Sequence, residues 1–260
     1  MNIPIFQVDA FTDKMFSGNP AAVCLLEEWL TDNQMQAIAA ENNLSETAFL
    51  VAQGDDYALR WFTPQCEVKL CGHATLASAF VIFTSVQPSR TSVRFDTQSG
   101  VLAVERRHDL LVLDFPAAMP AVCDSPAALV QGLKDAPQVI LSTADNYFAV
   151  YVSEREVRAI QPDSVALKLL HPRGVAVTSP GETTDFVSRY FAPSYGITED
   201  PVTGSTHCSL VPYWSGRLRK TQLHGRQVSS RGGDLHCELR DSRVLIAGRA
   251  IQYMRGTICL

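Results

Sequence analysis

Apolar residues along this chain come mostly in short runs or in alternation, the patterns of strands, and seldom at helical spacing. Ile5–Phe11 alternates and predicts a strand. Phe16-Ser17-Gly18-Asn19-Pro20 reads as a turn, since Gly, Asn and Pro each favour turn geometry, and Ala21–Leu26 follows as a buried strand. Thr31 or Asp32 caps a helix to about Asn42, with Met35, Ile38 and Ala39 on one face and Asn42-Asn43 as its stop. Strands are predicted at Thr47–Val51 and Tyr57–Phe62. The run Ala74–Phe83 is helical yet apolar on every side, so it must be surrounded by protein, inside a curved sheet rather than on one. Val93–Gln98, Val101–Arg106 and Leu110–Phe115 are spaced as an antiparallel meander.

Pro116 to Pro137, with four prolines and a short helix at Ala127–Leu133, reads as a crossover between halves. Strands at Val139–Leu141 and Tyr147–Val152, a helix at Ser164–Leu170, and strands at Val175–Thr178 and Phe186–Phe191 come next. A second Gly-opened helix starts at Gly204, and Pro212 inside it should kink it or end it early. Strands near Val228 and at Leu235–Leu239, Val244–Ala247 and Ala250–Arg255 close the chain. Many short strands with few long helices predict an α+β fold and exclude a parallel βαβ sheet.

One stretch occurs twice. Arg60-Trp61-Phe62-Thr63-Pro64 leads into Cys71-Gly72-His73-Ala74-Thr75, and Arg189-Tyr190-Phe191-Ala192-Pro193 leads into Thr203-Gly204-Ser205-Thr206-His207. Phe62 to Phe191 and Pro64 to Pro193 are 129 positions apart, Gly72 to Gly204 132, so the copies match on both sides of a three-residue insertion. Each copy is an Arg-aromatic strand, a Pro-marked turn and a Gly that opens an apolar helix. Two such halves packed face to face would aim two helix N-termini at one cleft, a geometry suited to an anionic substrate. The halves expected are 1–116, completed by the strand at about 250–260, and 117–249.

Composition narrows the function classes. At 46% apolar and 19% charged residues, the 260-residue chain is of ordinary globular type. A net charge of −5 and the lack of Lys/Arg clusters argue against nucleic acid or membrane as partner. No signal peptide or run of about 18 apolar residues is present, and seven Cys form no CxxC pair, which together predict a reduced, cytoplasmic protein. The dinucleotide, P-loop and zincin motifs are missing.

Several residues are candidates for chemistry. Glu46 lies between a helix end and an apolar strand; it is either a partly desolvated acid/base or a solvated turn residue. His73 follows the Gly of the first helix start, where a structural role competes with a catalytic one. Asp200 is a capping carboxylate or a functional one. Gly72, Gly204 and Ser205 offer backbone N–H groups to an anion. Cys71, at a helix start that favours the thiolate, is a base, a nucleophile or an inert buried thiol. The spacing of Cys66, Cys71 and His73 fits no zinc ligand pair, so no metal is expected. A Ser205–His73/His207–Asp200 triad lacks the nucleophile elbow.

Val8-Asp9-Ala10-Phe11, Gly18-Asn19-Pro20, Ser45-Glu46-Thr47-Ala48-Phe49, Arg60-Trp61-Phe62-Thr63-Pro64, Cys71-Gly72-His73-Ala74-Thr75, Glu199-Asp200-Pro201-Val202-Thr203-Gly204-Ser205 and His207-Cys208 through Pro212-Tyr213-Trp214 occur in that order. Together they resemble the PhzF-like (phenazine biosynthesis) isomerase family, of the diaminopimelate epimerase fold, over essentially the whole chain. The resemblance implies two pseudo-symmetric domains, each a curved, mostly antiparallel sheet wrapped around a central apolar helix, with the active site in the cleft between them. It implies a homodimeric, cofactor-independent isomerase that moves a proton on a small carboxylated metabolite. Glu46 falls on the family's acid/base and His73 and Asp200 on its assistants. Gly72, Gly204 and Ser205, with Asn19 nearby, fall where the substrate carboxylate is held. Diaminopimelate epimerases use two facing Cys; here Cys71 takes the first position and Thr203 the second, which favours single-base isomerisation. Two other readings stand beside it: an epimerase or racemase pairing Cys71 with Asp200, and a ligand- or protein-binding module that kept the fold and lost turnover.

Overall fold

The computed structural model describes all residues, 1–260, as a mixed α/β protein whose chain divides into two compact units, Met1–Asp114 with Ala247–Leu260, and Phe115–Ile246. The first unit opens with β1 (Asn2–Ala10) and β2 (Asn19–Leu26), paired antiparallel from Ile5↔Cys24 to Ala10↔Asn19. At Gly18 φ is +67°, and a Cβ there would fall within the carbonyl oxygen of Ala10, so the turn into β2 requires glycine. α1 (Asp32–Asn42) starts on a capping box in which Thr31 and Gln34 bond reciprocally, and stops where Asn43 turns left-handed at φ 48°. It returns the chain to β3 (Glu46–Gln53), which runs parallel to β2 with Ala21 opposite Glu46.

This β2–α1–β3 crossover corrects the blanket exclusion of βαβ connections: parallel neighbours need a helix-length return, and the eleven residues of α1 supply it. Met35, Ile38 and Ala39 pack beneath it against Phe49, Phe62, Ile5 and Cys24. β4 (Asp56–Phe62) pairs antiparallel with β3, the short β5 (Glu67–Val68) folds back on β4, and β6 (Ser92–Thr97), β7 (Gly100–Arg107) and β8 (Leu110–Pro116) form the meander. The strand Ala250–Cys259 pairs with β1 along its whole length.

Between β5 and β6 lies α2 (Gly72–Val81), two residues earlier than its apolar run suggested, followed by one π-helical turn at Ile82–Val86. All but one of its ten residues are buried, and it packs on β1, β2, β3 and the strand Ala250–Cys259. Its two buried hydroxyls are satisfied within the helix: Thr75 Oγ1 donates to the Cys71 carbonyl at 2.6 Å and Ser78 Oγ to Ala74 at 2.7 Å. Apart from His73, no polar side chain of the helix is left that would call for a solvent face.

The second unit runs β9 (Ala121–Val122), α3 (Ala127–Leu133), β10 (Val139–Ser142), β11 (Asn146–Val150), α4 (Glu154–Ala159), α5 (Ser164–Lys168), β12 (Gly174–Pro180), β13 (Phe186–Ala192), β14 (Ile197–Asp200), α6 (Gly204–Leu218), β15 (Gln222–Gln227), β16 (Gly233–Arg240) and β17 (Arg243–Gly248). The strand Ala250–Cys259 is therefore β18. β11 and β12 are parallel, with α4 and α5 as crossover, and Leu129, Leu133, Val157, Leu167, Val177 and Phe191 form the core beneath them. α4 and β14 had no expectation from the sequence, since each is short and charged or polar residues break its pattern, and the strand expected near Val228 is β15, which ends one residue before it.

Pro212 neither kinks α6 to a stop nor ends it early, since the helix continues six residues to Leu218. A proline frees the carbonyl four residues back. Here that is Cys208, and its oxygen accepts the Ala118 N–H at 2.9 Å, so the lost helical bond is replaced from outside. The helix stops instead at Arg219, in left-handed geometry at φ 54°.

Candidate active site

In the first unit, parallel pairing puts the starts of β2 and β3 side by side, and α2 begins against them. Asn19 is the first residue of β2, Glu46 the first of β3 and His73 the second of α2. The side chains meet in a buried line: Asn19 is 0%, His73 4% and Glu46 9% exposed. Asn19 Nδ2 lies 3.2 Å from His73 Nδ1, and His73 Nε2 lies 3.2 Å from Glu46 Oε2. An amide nitrogen can only donate, so Nδ1 accepts and the ring proton sits on Nε2, facing the carboxylate. At 3.2 Å the ring faces the Glu46 carboxylate and positions it. Burial drives the His73 pKa down from 6.5 to about 3, so the imidazole is neutral near pH 7.

Cys71 is the N-cap of α2, and its Sγ lies 3.5 Å from His73 Nδ1, on the Asn19 side of the ring. Glu46, Cys71 and His73 offer donor atoms within 4.8 Å of one another, whereas the exposed Cys66 stays with Thr63, at 3.7 Å. No side chain caps α2, so the N–H groups of its first turn point outward with the positive end of the dipole.

The second unit holds a separate buried group at the start of α6. Asp200 ends β14, Thr203 is the N-cap and Gln227 ends β15; they are 7%, 7% and 0% exposed. Thr203 Oγ1 donates to Asp200 Oδ2 at 2.5 Å. Gln227 accepts the Thr203 N–H at 2.8 Å through Oε1, and its Nε2 donates to the Asp200 carbonyl at 2.6 Å and to Thr203 Oγ1 at 3.2 Å. His207 Nδ1 donates to the Thr203 carbonyl at 2.9 Å; burial lowers its pKa to about 4, so it too is neutral. The threonine thereby uses its hydroxyl, amide and carbonyl to fix Asp200 beside the first turn of α6, which has no side-chain cap either. Gly204 is buried within that turn and Ser205 is exposed. His207 is turned to a carbonyl and Asp200 to Thr203, so these two form no hydrolase-type relay.

The sequence missed Gln227 altogether, and it placed Asn19 near the substrate carboxylate without showing that it meets His73. Neither contact leaves a local signal, because each joins residues more than twenty positions apart.

A family model described as phenazine biosynthesis-like protein (PhzC-PhzF) matches residues 8–256. An uncharacterised isomerase of Pseudomonas aeruginosa is 52% identical over 260 residues, with 100% of both chains covered. The crystal structure of a PhzF-family phenazine biosynthesis protein from Enterococcus faecalis shares 47% identity and superposes with a TM-score of 0.96 over 100% of both chains. A protein of P. aeruginosa described as a predicted epimerase shares the fold alone, at 18% identity and a TM-score of 0.78 over 99% of each chain.

Proposed function

The chain belongs to the phenazine biosynthesis-like family and is an isomerase, and on that premise we propose that Glu46 is its acid/base, moving one proton between two carbons of a small carboxylated substrate without a cofactor. The observation that carries this reading is the buried Asn19–His73–Glu46 line. A neutral imidazole offers its Nε2 proton to the carboxylate and supports the ionised form that must accept a proton from carbon. The same ring, already uncharged, does not compete for that proton.

A carboxylate beside a neutral ring can return the proton to the substrate as well as take it. The uncapped first turns at Gly72 and at Gly204 and Ser205 are proposed to hold the substrate carboxylate, since N–H groups and helix dipole both favour an anion. Asp200, fixed by Thr203, is proposed to assist on the same substrate, and the two-domain, pseudo-symmetric arrangement and the homodimer implied by the family resemblance belong to this proposal.

A second reading has one observation in its favour. Cys71 lies 3.5 Å from His73, a geometry in which a thiolate could serve as base in an epimerase. Incubation with metabolite extract in heavy water tests both. A carboxylate that gains deuterium or isomerises with the parent protein and with Cys71→Ser, but not with Glu46→Gln, supports the Glu46 reading. Activity lost in Cys71→Ser and kept in Glu46→Gln would reverse it.

A further inference from the structure

Three donors of different chemistry converge at the start of α2: the Glu46 carboxylate, the His73 imidazole and the Cys71 thiol, mutually within 4.8 Å and all buried. The proton-transfer scheme requires the first two and leaves the thiol without a task. The three donors are close enough for one ion to draw them together, and one pair already has ligand spacing. Two ligands each about 2.0–2.1 Å from a tetrahedral ion are roughly 3.3 Å apart, and an imidazole and a thiolate sharing an ion are about 3.6 Å apart. Glu46 Oε2 to His73 Nε2 is 3.2 Å, the separation of two ligands on one ion, whereas Cys71 Sγ lies 3.5 Å from the other ring nitrogen, Nδ1, so the thiol stands beside the ring and must move to share an ion on Nε2.

We infer that Glu46, His73 and Cys71 form a binding site for a thiophilic divalent transition ion such as Zn2+, and that an ion there inhibits rather than serves the isomerase. Carboxylate, imidazole and thiolate are the ligand types this class of ion selects. Seated on His73 Nε2, the ion would have Glu46 at ligand spacing, and the Cys71 thiol, within the same 4.8 Å cluster, would join it by turning from the Nδ1 side of the ring. Binding displaces the thiol proton to solvent and moves the ring proton from Nε2 to Nδ1. Asn19 then serves by turning its amide, so that Oδ1 in place of Nδ2 meets Nδ1, the carbonyl contact that orients a ligating histidine. Inhibition follows because the lone pair Glu46 would use on a substrate proton is held by the metal; that clause rests on the acid/base role proposed for Glu46, and the binding itself does not.

The test uses the full-length, reduced, metal-free protein and Co2+ as a spectroscopic probe, and needs no substrate. One equivalent of Co2+ is expected to bind with a near-ultraviolet thiolate-to-cobalt charge-transfer band and the visible bands of a tetrahedral site, and Zn2+ to abolish both. Cys71→Ser should remove the charge-transfer band, and Glu46→Gln should weaken binding on the order of tenfold or more while keeping the band. Circular dichroism of each variant establishes that it is folded. A parent protein that shows no such band, or a band that persists in folded Cys71→Ser, overturns the inference. Isomerase turnover that is lost in Glu46→Gln but indifferent to bound Zn2+ would overturn the inhibitory part and leave the acid/base assignment standing.

Discussion

Arg60 and Arg189 make the same two contacts in different units. Each grips one carboxylate with two N–H groups, Glu67 at 2.7 and 2.8 Å and Glu199 at 2.8 and 2.9 Å, and each lies over the phenylalanine two residues on, at 5.2 and 5.0 Å. Arg60 and Glu67 are seven residues apart, Arg189 and Glu199 ten. The three extra residues fall in the stretch that forms a 3-10 turn at Pro193–Tyr195 with Gly196 at φ 81°. What surrounds the two arginines differs. Arg60 adds Asp32 at the start of α1, whereas Arg189 donates to the carbonyls of Val157 and Ile160 at the end of α4. Arg189→Ala strands Glu199 and those carbonyls in a buried site and should cost about 3–5 kcal/mol in chemical denaturation. Arg60→Ala, beside the exposed Asp32, should cost about 1 kcal/mol. Equal losses would refute the distinction.

The repeat also accounts for why one unit carries a carboxylate at this place and the other does not. Thr47 opposes Phe62, and Val175 opposes Phe191, so the position before each is Glu46 in one copy and Gly174 in the other. A Cβ at Gly174 would fall within the Tyr190 hydroxyl, which donates to Asn146 at 2.8 Å. Gly174→Ala is expected to destabilise the protein by about 1–3 kcal/mol through overpacking, measured as a lowered urea midpoint. An unchanged midpoint would mean that the Tyr190 ring moves aside freely.

Asp200 stands opposite Tyr190 as Val68 stands opposite Trp61, and Thr203 caps α6 as Cys71 caps α2. Thr203→Val keeps the shape and removes the 2.5 Å bond to Asp200. Turnover of a substrate identified by deuterium labelling is expected to fall on the order of tenfold, with Thr203→Ser restoring it. A Thr203→Val enzyme as fast as the parent would separate Asp200 from the reaction.

Acid should unfold this protein through its buried histidines. An unfolded histidine takes a proton near pH 6.5, while folded His73 and His207 refuse one until about pH 3 and about pH 4. Between those limits unfolding takes up protons, so stability is full above pH 6.5 and falls as pH drops, by about 1.4 kcal/mol per pH unit for each histidine. Denaturant midpoints between pH 4 and 7 should flatten in His207→Asn. A slope identical to the parent's would show that His207 is not the group responsible.

The strands and both signature helices were legible because alternation and all-apolar runs are properties of consecutive residues; the short helix expected around Ala127–Leu133 lies there. Pro212 misled for the same reason: its local effect is to break a helix, and the remedy is an N–H from Ala118, nearly a hundred positions away. Glu46, His73 and Asp200 were identified by motif, but sequence could not show that Asn19 reaches His73 or that Gln227 braces Thr203, since both contacts depend on how strands pair. The parallel β2–β3 pair escaped because α1 shows only three buried apolar positions and reads as a surface helix.

β1 is flanked by β2 on one edge and by β18 on the other. β1 therefore waits for β18, which follows it by some 250 residues. Until residues 250–259 are synthesised, β1 keeps an open edge and α2, which has no face fit for water, lacks one of the strands that cover it. During translation the second unit is complete in sequence before the first, so the half that carries Glu46 and His73 can close only after residues 250–259 have been made.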